Sequence, residues 1–359
     1  KEGQERIYFV TADTFNAAGF AGITGAPGAT IGFNEFEGRG GDDIVIGDIN
    51  GQGQILTRIS YVNATGAVTV DIAAGTADGD ASVGNDTFSN VSSVFGSASN
   101  DTLRGSDNAF GTFESYEGRD GDDSIDGRGG YDIVTYNTDA TTTSGINVQL
   151  ALGIVTGDAS VDTDTIRNVE AVRGTNFHDV YDATGYGVAG ALNFSTTNGN
   201  FNDFGGAGGD DTVIGNGNTR LNYSSAAASV SVDLETSVIG TTNAVTVVGI
   251  ATGTTEGTDS LTGVNAVQAS VFDDTLLGSS FNNNFTGLGG NDFIDGRGGF
   301  DTASYNSLGL ATAGVSVNLA SGTATGDASI GTDTLRNVEG IQGTGYTDTF
   351  NATGYGLAG

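Results

Sequence analysis

"GLGGNDFIDGRGGFDTASY", residues 287–305, packs six glycines, three aspartates and an asparagine into nineteen residues, yet keeps Phe293, Ile294, Thr302 and Tyr305 among them. Taking Asp292 as the sixth of nine positions splits it into GLGGNDFID (287–295) and GRGGFDTAS (296–304). Stepping backward gives GSSFNNNFT (278–286) and ASVFDDTLL (269–277). The sixth position is then Asp274, Asn283, Asp292 and Asp301, and the eighth is Leu276, Phe285, Ile294 and Ala303. A polar column and an apolar column two residues apart, kept in register over four steps, describe short strands separated by glycine turns.

Composition is consistent with this and sets limits. The chain has 359 residues with Gly 61, Pro 1, no Cys, Met or Trp, and a formal net charge of -32; Lys1 is its only lysine. With 37% hydrophobic residues it is too apolar for an acidic tail. Polyanions such as nucleic acid or an anionic membrane are excluded as partners by charge, and cations are the natural ones. No apolar run is long enough to span a bilayer, so membrane insertion is not expected. Without cysteine nothing can be braced by disulfides. The opening KEGQERIYFV is neither a start methionine nor a signal peptide, so the chain reads as a piece of a longer one.

Internal repetition organises the whole chain. Residues 117–190 align without a gap on 286–359: TGDASVDTDTIRNVEAVRGT in one copy answers TGDASIGTDTLRNVEGIQGT in the other. A second pair interleaves, TRISYVNATGAVTVDI (57–72) matching TRLNYSSAAASVSVDL (219–234). Phe33, Phe113, Phe201 and Phe281 mark the unit starts at spacings of 80, 88 and 80. This gives the tail of a preceding unit at 1–32, then units A1 (33–112), B1 (113–200), A2 (201–280) and B2 (281–359). The phenylalanine column reads as core or cap.

Strands of period two recur as Val68-x-Val70-x-Ile72, Ile146-x-Val148-x-Leu150, Val230-x-Val232-x-Leu234 and Val315-x-Val317-x-Leu319, and no segment carries a helical period. The predicted fold is all-β, a parallel β-roll or β-solenoid whose coils of about 18–25 residues stack about 4.8 Å apart. Acidic turns stacked at that spacing ask for a cation. Ca²⁺ takes six to eight hard oxygens from carboxylates and carbonyls, and glycines let a turn adopt positive φ and aim its carbonyls inward.

At these turns the chain resembles the RTX family of haemolysin-type calcium-binding repeats, whose motif is G-G-x-G-x-D-x-U-x with U apolar. The resemblance is clearest at 118–135, 206–214 and 269–304, and extends to linking segments such as NVEGIQGTGYTDTF (337–350). It implies a right-handed β-roll with several Ca²⁺ ions, each held between turns eighteen residues apart. The ligands implied are carbonyls at positions one and three with a side chain at five, against Asp at six of the other turn. Carried over, one ion lies between Ala269, Val271 and Asp273 and Gly287, Gly289 and Asp292. A second uses Gly278, Ser280 and Asn282 with Gly296, Gly298 and Asp301. Unit B1 offers Asn100 with Gly118 and Asp123, then Gly127, Gly129 and Asp132. In the A units Gln52 or Arg220 falls where the next Asp belongs, leaving Asp43 and Asp211 as last ligands of short rows. The isolated D-x-U triplets at Asp86, Asp164, Asp179, Asp259, Asp333 and Asp348 read as plain turns.

Other signals are weak. The glycine runs lack the GK[ST] of a phosphate loop. His178 is the only histidine and reads as a solvated surface residue. Acidic pairs such as Asp122–Asp123 recur in structural positions, whereas an active site should occur once, so no enzyme is expected. The resemblance implies a calcium-stabilised structural module of a secreted or cell-surface bacterial protein (a stalk, surface layer or filament), with end-to-end or lateral self-association as a possible partner mode. The alternative is the non-catalytic secretion and folding region of an RTX toxin or hydrolase.

Overall fold

The computed structural model describes residues 8–9, 12–17, 34–49, 55–107, 113–235, 243–247, 257–306 and 311–356. Among them the chain is all-β with mainly parallel pairing, and the 3₁₀ turn Leu150–Leu152 is the one helical element. It divides into two units, residues 1–173 with 186–200 and residues 174–185 with 201–359.

In the second unit the nine-residue step carries the chain from one stack of strands to another. Thr275–Leu277 pairs in parallel with Phe293–Asp295, placing Leu276 beside Ile294. Asn284–Thr286 pairs with Thr302–Ser304, placing Phe285 beside Ala303. The apolar eighth position therefore alternates between two columns, and two steps return the chain to the same stack. All four side chains are buried. Burial of each large one contributes about 1.5–3 kcal/mol, so the columns are where the stacking is stabilised.

The first unit has the same two columns. Val70, Leu103, Ile125 and Ile166 are register partners in one, and Ile59, Val94, Tyr116, Val134 and Val172 in the other. None is more than 1% exposed, so each stack has a dry interior side.

The expected spacing of 18–25 residues between parallel partners holds only locally. Leu276 and Ile294 are 18 apart and Leu103 and Ile125 are 22 apart, but Ile125 and Ile166 are 41 apart. The excess is an antiparallel excursion. Asn147–Gln149, Ile154–Thr156 and Thr163–Arg167 form an up-and-down trio before the parallel ladder resumes, as do Ser316–Asn318, Thr323–Thr325 and Thr332–Arg336. The period-two segments ending in Leu150 and Leu319 open these hairpins. Alternation alone cannot tell an antiparallel strand from a parallel one, because both have period two.

Candidate metal centres

Each glycine turn is shaped by what a side chain would strike. At Gly287 a Cβ would lie 1.9 Å from Asp292 Oδ2, because the carboxylate folds back over the first residue of its own turn. Gly118 with Asp123 (1.9 Å), Gly38 with Asp43 (2.2 Å), Gly206 with Asp211 (1.7 Å) and Gly296 with Asp301 (2.4 Å) repeat this. At position four, Gly290 has φ +109° and a Cβ there would lie 2.4 Å from the Phe272 carbonyl, one parallel partner back. The G-x-x-G-x-D spacing is thus a steric requirement.

Two hydrogen-bond ladders of opposite direction brace the stack. Position-six carboxylates accept from the earlier partner: Asp274 N–H donates to Asp292 Oδ1 (2.9 Å) and Asn283 N–H to Asp301 Oδ1 (2.8 Å). Asp101 N–H likewise donates to Asp123 Oδ1 (2.7 Å), Asp13 to Asp43 (2.8 Å) and Asp179 to Asp211 (2.8 Å). Position-five side chains accept from the later partner: Asn291 N–H donates to Asp273 Oδ1 (2.7 Å), Phe300 N–H to Asn282 Oδ1 (2.8 Å) and Asp122 N–H to Asn100 Oδ1 (3.2 Å). Asp273, Asn282 and Asn100 therefore each use one side-chain oxygen as a backbone brace.

The turns differ in the second carboxylate oxygen. Oδ2 of Asp43, Asp123, Asp292 and Asp301, and both oxygens of Asp132, are buried without a hydrogen-bond partner. The isolated triplets are closed instead. Tyr61 OH donates to Asp86 Oδ2 (3.0 Å), Tyr136 OH to Asp164 Oδ2 (2.9 Å) and Tyr223 OH to Asp259 Oδ2 (2.8 Å). The backbone N–H of Thr175 and Thr344 closes Asp179 (2.8 Å) and Asp348 (3.0 Å). Asp333 is the loose case: the Tyr305 phenol stands beside it and lowers its proton affinity, but the two oxygens fall short of full hydrogen-bond geometry.

Position two separates the classes. Where it is Ser or Thr (Ser97, Thr175, Ser270, Ser279, Thr344), its backbone N–H bonds the side chain of the position-six residue, consuming it within the turn. Where it is Arg119, Arg128, Ala207, Leu288 or Arg297, φ is +80°, +64°, +63°, +70° and +62°, and the N–H makes no such bond. The tandem runs thus set a Ser-closed turn opposite an open one. That signal is present in the sequence and went unread there.

Burial dominates the proton affinity of the open carboxylates. It pushes Asp292 up to about 8, helped by the nearby charge of Asp333 and Asp274. Asp123 is raised to about 9 by burial and Asp164, and Asp132 to about 9 by burial, Glu170 and Glu114. Asp301 is raised to about 6 by burial and Glu339. These are hard oxygens held in a low-dielectric setting with neighbours of the same sign, the donor chemistry that a divalent cation relieves. Among the described residues no three Asp, Glu or His side chains gather tightly enough to hold an ion by themselves, so an ion at these turns would need backbone carbonyls as well. Space exists for them at position three. The nearest atoms to a Cβ on Gly289 are the carbonyls of Ala328 (3.3 Å), Ser329 and Val271 (both 3.7 Å), and at Gly298 nothing lies closer than 3.7 Å. Gly129 is less open, with Asp107 Oδ1 at 3.3 Å, and a Cβ on Gly127 would lie 2.6 Å from Asp132 Cγ.

Counting by nine misplaces the A units. Glu114 is the register partner of Asp132, and the corresponding partners are Asn34 with Thr57 and Asn202 with Thr219. Threonines, not Gln52 or Arg220, hold the register of the missing Asp; Gln52 itself lies outside the described residues. The cause is an irregular register between Ile214 and Arg220, and in A1 a loop closed by an Ile49–Ile55 bridge. Arg220 instead pairs with Asp203 (2.5 Å), and Arg58 with Glu35, so the A units carry internal cations. Phe113 and Phe281 are exposed, not core, and Phe33 lies outside the described residues. His178 is exposed, its Nδ1 donating to the Asp210 carbonyl.

Two further devices recur. Asp158 accepts from Thr143 N–H (2.7 Å) and Ser160 Oγ (2.6 Å), clamping a hairpin, and Asp80 and Asp327 clamp theirs by accepting from the hydroxyls of Thr65 and Ser82 and of Thr312 and Ser329. Arg128 and Arg297 reach back to form two-pronged pairs with Asp71 (2.6 and 3.0 Å) and Asp233 (2.6 and 2.9 Å). No family model matches the chain, and no curated protein matches it.

Proposed function

We propose that the chain is a calcium-stabilised structural module, a right-handed parallel β-roll belonging to a secreted or cell-surface bacterial protein. The observation that carries the reading is the recurrence of buried, unpartnered carboxylate oxygens at position six of the glycine turns, on Asp43, Asp123, Asp132, Asp292 and Asp301. When bound, Ca²⁺ supplies two positive charges and a flexible shell of six to eight oxygens. Asp292 would offer Oδ2 while its Oδ1 stays on the backbone of Asp274, so one carboxylate ties a ligand to the stacking ladder. The same holds for Asp123 with Asp101. Folding and ion uptake then form one equilibrium, favoured outside the cell where calcium is abundant.

Circular dichroism with and without chelator tests this. The chelated chain is expected to lose most of its β signal and regain it at about millimolar Ca²⁺, the range of extracellular modules. A chelated chain that keeps its full cooperative melt overturns the proposal.

A further inference from the structure

Position two of the second open turn holds an arginine in both B units. Arg128 and Arg297 have φ +64° and +62°, a conformation unfavourable to any side chain. Their guanidinium groups do more than pair with Asp71 and Asp233. Arg297 Nη1 also donates to the carbonyl of Gly278 at 2.8 Å, and Arg128 Nη1 to that of Gly105 at 2.6 Å. Gly278 is the first residue of the turn facing Asp301. At the first open turn of B2 position two is Leu288, uncharged and buried, and in B1 Arg119 points to Asp139 at 2.9 Å.

We infer that Arg128 and Arg297 set the calcium affinity of the second turn pair, making it the weaker of two classes of site. The inference rests on the calcium reading. A guanidinium on the Gly278 carbonyl places a fixed positive charge within a few ångströms of any cation sharing that oxygen, and like charges so close repel strongly in a half-buried setting. The planar fork on Asp233 holds the charge there. Asp301 keeps its open Oδ2 and still takes an ion, but only at higher calcium. The module therefore fills in two stages, the turns around Asp123 and Asp292 first and those around Asp132 and Asp301 second.

Calcium isotherms of the full chain test this. The parent is expected to show a tight and a weak class, with Asp292→Ala losing an ion from the first and Asp301→Ala from the second. Arg297→Gln should tighten one weak site at least tenfold, Arg128→Gln should do so in the other B unit, and Arg297→Lys, which keeps the charge, should leave it weak. A parent with a single class of equal sites overturns the inference while leaving the calcium reading intact. So does an Arg297→Gln isotherm that is unchanged or weaker. If Arg297→Gln does not fold even in saturating calcium, the arginine is structural and the inference also falls. A parent that binds no calcium ends the calcium reading itself.

Discussion

Asp292 and Asp86 occupy the same position of the same turn and have the same Oδ1 ladder, but not the same Oδ2. In Asp86 that oxygen is met by Tyr61, whereas in Asp292 it is bare. The two substitutions to alanine should therefore separate stability from ion binding. Asp292→Ala is expected to remove one bound ion by calcium titration. Asp86→Ala should leave the ion count unchanged but strand the buried Tyr61 hydroxyl, lowering stability by about 1–3 kcal/mol in a denaturant melt at saturating calcium. Loss of an ion from Asp86→Ala would contradict the division into open and closed turns. Read from sequence, Asp86→Ala is expected to do little; the tyrosine 25 residues away is what changes that.

At the scale of the element, the strands are short and their length carries little stability of its own. Phe293–Asp295 has three residues, and only its middle one, Ile294, is nearly fully buried. Stability comes from stacking in register, so each hairpin excursion must deliver the chain back to its column. The Asp158 clamp does this for the hairpin of Asn147–Gln149 and Ile154–Thr156, holding Thr143 and Ser160 across its mouth. Asp158→Ala should speed amide hydrogen exchange across this hairpin while the Ile125 and Ile166 column keeps its protection. Uniform loss of protection through the unit would show that the hairpin is not a separate opening unit.

Over the whole molecule, charge sets the response to pH. Asp123, Asp132 and Asp292 are held at about 9, 9 and 8 in the folded chain, far above the usual carboxylate range they resume on unfolding. Folding without calcium therefore takes up protons. The stability these groups contribute is present below about pH 4 and is lost as pH rises through 8–9. The net charge of -32 acts in the same direction. The β signal that the chain retains in chelator should accordingly grow as pH falls from 9 to 5. In saturating calcium this dependence should flatten, because binding keeps the carboxylates ionised. A chelated chain whose β signal grows as pH rises would contradict the buried, cation-free state of these groups.

Much of the fold and of the candidate site was legible because its determinants are local. A glycine five residues before an Asp, a glycine at positive φ and an apolar residue two after the Asp are all fixed by neighbours within nine positions, and nine-residue periodicity exposes them. Position two of the turn belongs to the same local code: the family pattern has glycine there, and this chain replaces it with Ser, Thr, Arg, Leu or Ala. The antiparallel excursions were not legible, since alternation is the same for both strand senses. Which oxygens are closed, and by what, was settled only in three dimensions. Tyr223 reaches Asp259 across 36 residues and Arg297 reaches Asp233 across 64, separations set by loop and hairpin lengths that no local rule contains. The sequence by itself determined where each carboxylate sits in its turn; the tertiary structure decided which carboxylates meet a hydroxyl, which meet a guanidinium, and which are left bare, because a partner from another strand is assigned only when the columns have packed.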